Sequence, residues 1–234
     1  MNEITARNSK LSSQLIDLLQ SVNHTLEIEK GCFLFQEGTE ANELFILNSG
    51  RIQVSKVSAD GRELTFRLCG PGDIIGELTL FSEGAKHLLN ARALEDGEVS
   101  VINKDELEAK LLENSVLAFE FMKWMSEHFR RTQTKLRDLV LHGKKGALYS
   151  TLVRMSNSYG YEKKDGILID LPFTNQELAN FAGTARESVN RMLGDLRKKG
   201  IISVNKGKIT IHDLQYIKDE INCEDCPADL CNID

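Results

Sequence analysis

Ala118, Met122, Met125, Phe129, Thr132, Leu136 and Leu139 stand at intervals of 4-3-4-3-4-3. Only a helical turn brings such positions onto one face, so the spacing predicts a helix from Ser115 to Leu141. Its stripe is narrow, two positions per heptad with charges and Gln between, as in a coiled-coil seam. At 1.5 Å per residue that helix would run roughly 40 Å, too long for a small domain's own core. Burial in a larger core is one reading. A dimer-forming coiled coil is favoured, with Met122, Met125, Phe129, Thr132, Leu136 and Leu139 at the interface, because the stripe lies between two regions that each read as a domain.

The region before it reads as β. Apolar residues alternate in Arg51–Val57 and again in Leu64–Leu68, and Asp60-Gly61 between them signals a hairpin of the type I′ kind. Glycines at 31, 38, 50, 70, 72, 76, 84 and 97 punctuate further short strands, as in an antiparallel roll. Behind the long helix, Lys144 to Tyr159 reads as helical, with Gly160 as its C-terminal cap, and a short hairpin follows around Ile167–Leu171. Thr174-x-x-Glu177 and Thr184-x-x-Glu187 are two capping boxes. The turn between their helices holds Ala182-Gly183, and a second hairpin spans Ile201–Ile211. Helix-turn-helix followed by a hairpin is a winged helix. The predicted class is α+β: a segment of helix over 1–22, a β-roll over 23–113, a dimerisation helix over 114–142, a winged helix-turn-helix over 143–220 and a cysteine-bearing tail over 221–234.

The formal charge of −6 hides a local contrast. Residues 1–103 hold 9 Lys and Arg against 15 Asp and Glu, whereas 104–234 hold 20 of each. Residues 184–200 carry five basic and two acidic side chains, so the second helix of the pair is a basic patch. A recognition helix reads bases with its first turns. Arg186, Glu187, Ser188, Asn190 and Arg191 are therefore the candidate DNA contacts, since Arg pairs bidentately with guanine and Glu accepts from cytosine N4. Val189, Met192 and Leu193 are left for the core.

Three of the five cysteines fall within nine residues, Cys223, Cys226 and Cys231. A disulfide, a metal or iron-sulfur site, and a tail without function compete for them. No run reaches the length of a membrane span and the first residues lack a targeting pattern, so a cytoplasmic protein is expected. Cytosolic thiols are mostly kept reduced, which favours metal over disulfide. Zinc accepts three cysteines and one further ligand as well as a cluster does. A thiol-disulfide enzyme would need a βαβ setting that is not present around Cys223 and Cys226, so no enzyme is expected.

The β-region, long helix and winged helix, in that order, resemble the superfamily of the cyclic-AMP receptor protein and FNR. Gly72-Asp73-Ile74-Ile75-Gly76-Glu77-Leu78 and the recognition helix carry the resemblance. It implies that Arg186, Glu187 and Arg191 read a palindrome with TGTGA and TCACA arms, and that RNA polymerase is a partner. In that family an Arg-Ser pair after Gly-Glu-Leu holds a cyclic phosphate; here His87 and Leu88 stand in those places, so no cyclic nucleotide is expected. FNR-type members sense oxygen through a 4Fe-4S cluster, and the tail spacing Cys-x2-Cys-x4-Cys is similar to that of the bacillar members. That likeness implies one 4Fe-4S cluster per subunit on Cys223, Cys226 and Cys231, with an aspartate at the end of the dimer helix as fourth ligand. Asp138 matches that place; His142 and solvent are the alternatives, and the other role for Asp138 is a helix charge paired with Arg131 or Lys135. Cys32 and Cys69 read as small buried hydrophobes. On this reading the cluster clamps the DNA-binding domain to the dimer helix, and oxygen releases the clamp to switch off activation of anaerobic respiration genes.

Overall fold

A computed structural model of the chain describes residues 15, 18, 19 and 23–233. Most of the helical segment expected over 1–22 lies outside the described residues; Leu15, Leu18 and Leu19 are helical. The chain divides into two compact units, Met1–Lys56 with Phe66–His128, and Val57–Thr65 with Phe129–Asp234.

The alternating segments of the first region become antiparallel strands: β1 (Asn23–Ile28), β2 (Phe33–Phe35), β3 (Glu43–Ser49), β4 (Ile52–Val57), β5 (Glu63–Cys69), β6 (Ile74–Ile75), β7 (Asn90–Ala93) and β8 (Gly97–Asn103). They form two four-stranded sheets in the orders β1-β8-β3-β6 and β2-β7-β4-β5. Period-2 alternation sends Phe45, Leu47, Val99 and Val101 from one sheet, and Ile52, Val54, Ala91 and Ala93 from the other, into a common core. The opposite face of the first sheet offers Leu44, Ile74 and Ile102. Leu107 and Leu111 of α1 (Lys104–Glu113) and Leu117 and Phe121 of the next helix, α2 (Ser115–Leu141), cover them.

Two expectations change here. Cys69 is fully buried, whereas Cys32 is exposed, because it falls in the turn before β2 and not within the strand. In the turn after β4, Gly61 takes a positive φ of 79° and Asp60 does not, so this is not the type I′ turn, which needs two such residues. Ser58 and Arg62 close it with a backbone hydrogen bond of 2.8 Å.

Glu77 is buried at the start of a short 3-10 turn, where its Oε1 accepts from Arg67 Nη1 at 3.2 Å and lies 3.1 Å from His128 Nε2. Burial opposes ionisation of Glu77, but the Arg67 charge and the His128 hydrogen bond outweigh it and hold the carboxyl below its usual range. Trp124 stacks on the His128 ring, so the N-terminal part of α2 is fixed to the β-roll through a charge. Glu77→Gln is expected to destabilise the protein at pH 7 by about 3 kcal/mol, because it leaves Arg67 buried beside a neutral amide. A depressed pKa contributes stability above the unfolded value and loses it as pH falls through the folded one. The gap to wild type, measured by urea unfolding, is therefore expected to close below about pH 4.

Along α2, Met122, Phe129, Thr132 and Leu136 are exposed while Met125 and Leu139 are half-buried. Phe119 and Val140 are exposed beside them and widen the stripe beyond the heptad positions.

The second unit holds α3 (Gly143–Tyr159), β9 (Gly160–Lys163), β10 (Gly166–Ile169), α4 (Asn175–Phe181), α5 (Arg186–Lys198), β11 (Ile202–Asn205), β12 (Lys208–Ile211) and α6 (Leu214–Asp219). Its sheet runs β11-β12-β10-β9, all antiparallel. Gly160 is not a left-handed cap: its φ of −82° and ψ of 135° are extended and open β9. Glycine is required there because a Cβ would stand 2.0 Å from the Ser156 carbonyl oxygen.

Candidate functional site

The two helices of the winged helix begin differently. The first capping box forms as its residues demand, with Thr174 Oγ1 accepting from the Glu177 amide at 3.2 Å and Glu177 Oε2 accepting from the Thr174 amide at 2.7 Å. The second does not form. The Thr184 amide donates to Ala179 O at 3.0 Å, which keeps Thr184 in the turn out of α4, and Ala185 becomes the N-cap of α5. Thr184 Oγ1 is left buried with no hydrogen-bond partner. Thr174→Ala is expected to lower stability by about 1 kcal/mol, seen as a lower melting temperature, and Thr184→Val to be neutral or stabilising.

Val189, Leu193 and Leu196 bury one face of α5. Arg186, Glu187, Asn190 and Arg191 are exposed on its first two turns, with Ser188 half-buried. Asn175 of α4 donates its amide to Asn190 Oδ1, which fixes the orientation of that side chain. Met192, expected in the core, is only half-buried; it lines a cleft of about 540 Å³ with Lys144, Arg191 and Lys199. One helix thus presents two cations, a carboxylate and an oriented amide, the chemistry that reads base edges in a major groove.

The tail lies against α2 and α3. Asp138, at the end of α2, is 6% exposed and not a solvated charge. Its partners are neither Arg131 nor Lys135. Arg154 Nη2 donates to its Oδ2 at 2.7 Å, Ser150 Oγ donates to the same oxygen at 2.5 Å, and Arg137 donates to Oδ1 through Nε at 3.1 Å and Nη2 at 2.9 Å. Burial opposes charge on Asp138, yet the hydrogen bonds of Arg154 and Ser150 prevail and keep its pKa below the usual carboxylate range. Arg131 and Lys135 instead donate to the tail carbonyls of Asp229 and Ile233, at 2.9 and 3.2 Å.

All five cysteines are free thiols; Cys231 is buried and Cys223 and Cys226 half-buried. Burial pushes the Cys231 thiol up, against the opposing pull of Arg154; Cys223, Cys226 and Asp138 lie within electrostatic range and push the same way as burial. Arg137 hydrogen-bonds Cys226, and Lys218 feels the charges of Cys223 and Cys231. Among the described residues, no three His, Cys, Asp or Glu side chains converge closely enough as placed to hold a metal ion. The donor set nevertheless fits an iron-sulfur cluster or zinc in kind: three thiols and a carboxylate, with Arg137, Arg154 and Lys218 beside them to favour the ionised ligands.

Sequence reasoning missed Arg154. The signal was a lone arginine in a helix whose residues Gly146 to Ser156 are all buried, where a charge must find a partner.

In the β-roll, His87 is buried with its ring stacked on Phe35 at 3.7 Å, while Leu88 is 72% exposed. Burial lowers the His87 pKa, which favours the neutral imidazole.

Residues 25–114 match the cyclic nucleotide-binding domain and 146–220 the Crp-like helix-turn-helix domain. Over 238 aligned positions, all of both chains, the sequence is 56% identical to the "Anaerobic regulatory protein" of Bacillus subtilis strain 168. The chain belongs to the Crp/Fnr family of transcription regulators. A more distant relative, the "Global nitrogen regulator" of Nostoc sp. PCC 7120, is 30% identical over 79% of this chain and 83% of its own. Among solved structures, the c-di-GMP responsive global regulator CLP of Xanthomonas campestris matches with a TM-score of 0.74 at 22% identity, over 86% of this chain and all of that one. A CooA mutant of Carboxydothermus hydrogenoformans matches with 0.73 at 23% identity, over 94% and 96%. These two bear on the fold alone. Crp/Fnr proteins are regulators and not enzymes, and no helix among the described residues is long and apolar enough to cross a membrane.

Proposed function

We propose that this Crp/Fnr regulator responds to oxygen through one 4Fe-4S cluster per subunit, held by Cys223, Cys226, Cys231 and Asp138. With the cluster intact it binds palindromic DNA with TGTGA and TCACA arms as a homodimer, in the cytoplasm, and activates genes of anaerobic respiration with RNA polymerase. The observation that carries the reading is the juxtaposition of a buried Cys231, within electrostatic range of Cys223 and Cys226, with the carboxylate at the end of the long helix. The name of the Bacillus subtilis relative points the same way. When bound, such a cluster supplies an oxygen-labile centre; the chain supplies thiolates, a carboxylate and the cations that offset their charge. The exposed apolar stripe of α2 supports the dimer, since Met122, Phe129 and Leu136 are each about 60% exposed in one chain. A cyclic-nucleotide input is disfavoured by the chemistry of its cassette, because neutral His87 offers no fixed charge to a phosphate and the Glu77 carboxylate is bound by Arg67 and His128.

Protein purified without oxygen is expected to be brown, with about four irons and four sulfides per chain for a 4Fe-4S centre, and to bleach in air. A colourless zinc protein, or one without metal, would overturn the cluster assignment. Cys226→Ser is expected to abolish the colour and Asp138→Ala to lower cluster content strongly, with gel filtration still reporting a dimer for both.

Arg186→Ala is expected to cost about 1–3 kcal/mol of DNA affinity, roughly 5- to 150-fold. The loss should vanish when its cognate guanine is replaced, as measured by fluorescence anisotropy on paired operators.

A further inference from the structure

The backbone of the tail is gripped by side chains of α2 and α3. Beyond Arg131 on Asp229 O and Lys135 on Ile233 O, Asn157 Nδ2 donates to Cys231 O at 2.6 Å, and Ser158 Oγ accepts the Ile233 amide at 3.0 Å. Arg154 Nη1 reaches Leu230 O at 3.4 Å and Asn232 O at 3.5 Å. Leu230 and Ile233 are buried. Arg154, 2% exposed, joins every part of this arrangement: its Nη2 holds Asp138 of α2, its Nε lies 3.3 Å from Ser150 of α3, and its Nη1 holds the two carbonyls that flank Cys231.

The lone pairs of Asp138 are fully spoken for. Oδ2 accepts from Arg154 and Ser150, and Oδ1 accepts two N–H groups of Arg137. An iron at either oxygen would have to displace one of these donors. None of the carbonyl contacts that seat the tail uses a lone pair of Asp138 or a cysteine sulfur.

We infer that Arg154 is a positioning residue that seats Cys231 beside Asp138, and that the protein makes this seat without the metal. If a cluster were held there, its loss would leave Asp138 to its arginine and serine donors with the tail still docked, rather than releasing a clamp as the sequence alone suggested. The inference takes its meaning from the cluster reading above, but its test needs no iron.

Hydrogen exchange by mass spectrometry or NMR on the full-length protein, stripped of iron with chelator and kept reduced, reads the tail directly. The amides of Leu230, Cys231 and Ile233, bonded to Pro227 O and Ser158 Oγ, are expected to exchange at least about 100-fold more slowly than in an unstructured peptide. In Arg154→Met that protection is expected to fall to near the unstructured rate while the amides of β10 and β12 keep theirs. Arg154→Lys, which retains the charge and loses the fork, is expected to lie between. A tail unprotected in the stripped wild type would overturn the claim that the protein alone makes the seat. Wild-type protection in Arg154→Met would overturn the role of Arg154. If Arg154→Met loses protection throughout 129–233, Arg154→Lys decides: loss confined to the tail supports the role and no loss overturns it. A protein that never takes up iron would sink the cluster reading, while these exchange rates would still support or overturn the seating role of Arg154.

Discussion

Arg154 lies in the stretch of α3 from Gly146 to Ser156 that leaves no face to water, and the second unit is organised around keeping its charge satisfied. An unpaired ion there would cost several kcal/mol, more than most single contacts in a protein return. Asp138 answers the charge, Ser150 orders the carboxylate, and the remaining N–H groups turn to the carbonyls of the tail. Such a pair adds little net stability over a well-packed apolar core, because desolvation consumes most of the Coulomb gain. Its effect is specificity. A one-turn shift of α3 against α2, or of the tail against either, would strand a buried charge. This is how three cysteines on a short, irregular segment come to stand at a defined place beside α2.

The first unit shows the same device with a different outcome. Glu77 occupies the Gly-Glu-Leu motif of a nucleotide-binding β-roll, yet its carboxylate is engaged by Arg67 from β5 and by His128 from α2. The β-roll thereby holds the start of the long helix through an internal ion pair. His87, further along the chain, is buried and stacked on Phe35, and its burial lowers its pKa.

Much of this is legible along the chain. The 4-3 spacing locates α2 at Ser115–Leu141, the alternation locates the β-roll, and the first capping box locates α4. These features come from periodicity and local hydrogen bonding, which act within a few residues. The second capping box fails because Thr184 is drawn into the turn by the Ala179 carbonyl. Gly160 caps α3 as expected, but its need for glycine is steric, set by the Ser156 carbonyl and by Ile167 on the neighbouring strand, and not conformational. Cys32 departs by one residue, the distance between a turn and a strand.

By itself the sequence determined the order of elements, the polar face of α5 that stays exposed and the identity of the tail's thiols, since residue type and spacing carry that information. It singled out Asp138 only through a family likeness and assigned its partners to neighbours on the same helix. The tertiary structure gave one carboxylate oxygen to Arg154, 16 residues on, and to Ser150, left the other to Arg137 of the same helix, and gave Arg131 and Lys135 to the tail, each 98 residues away. Pairings over such separations depend on which buried charges the packed helices leave unsatisfied, and that is settled only when the chain has closed around them.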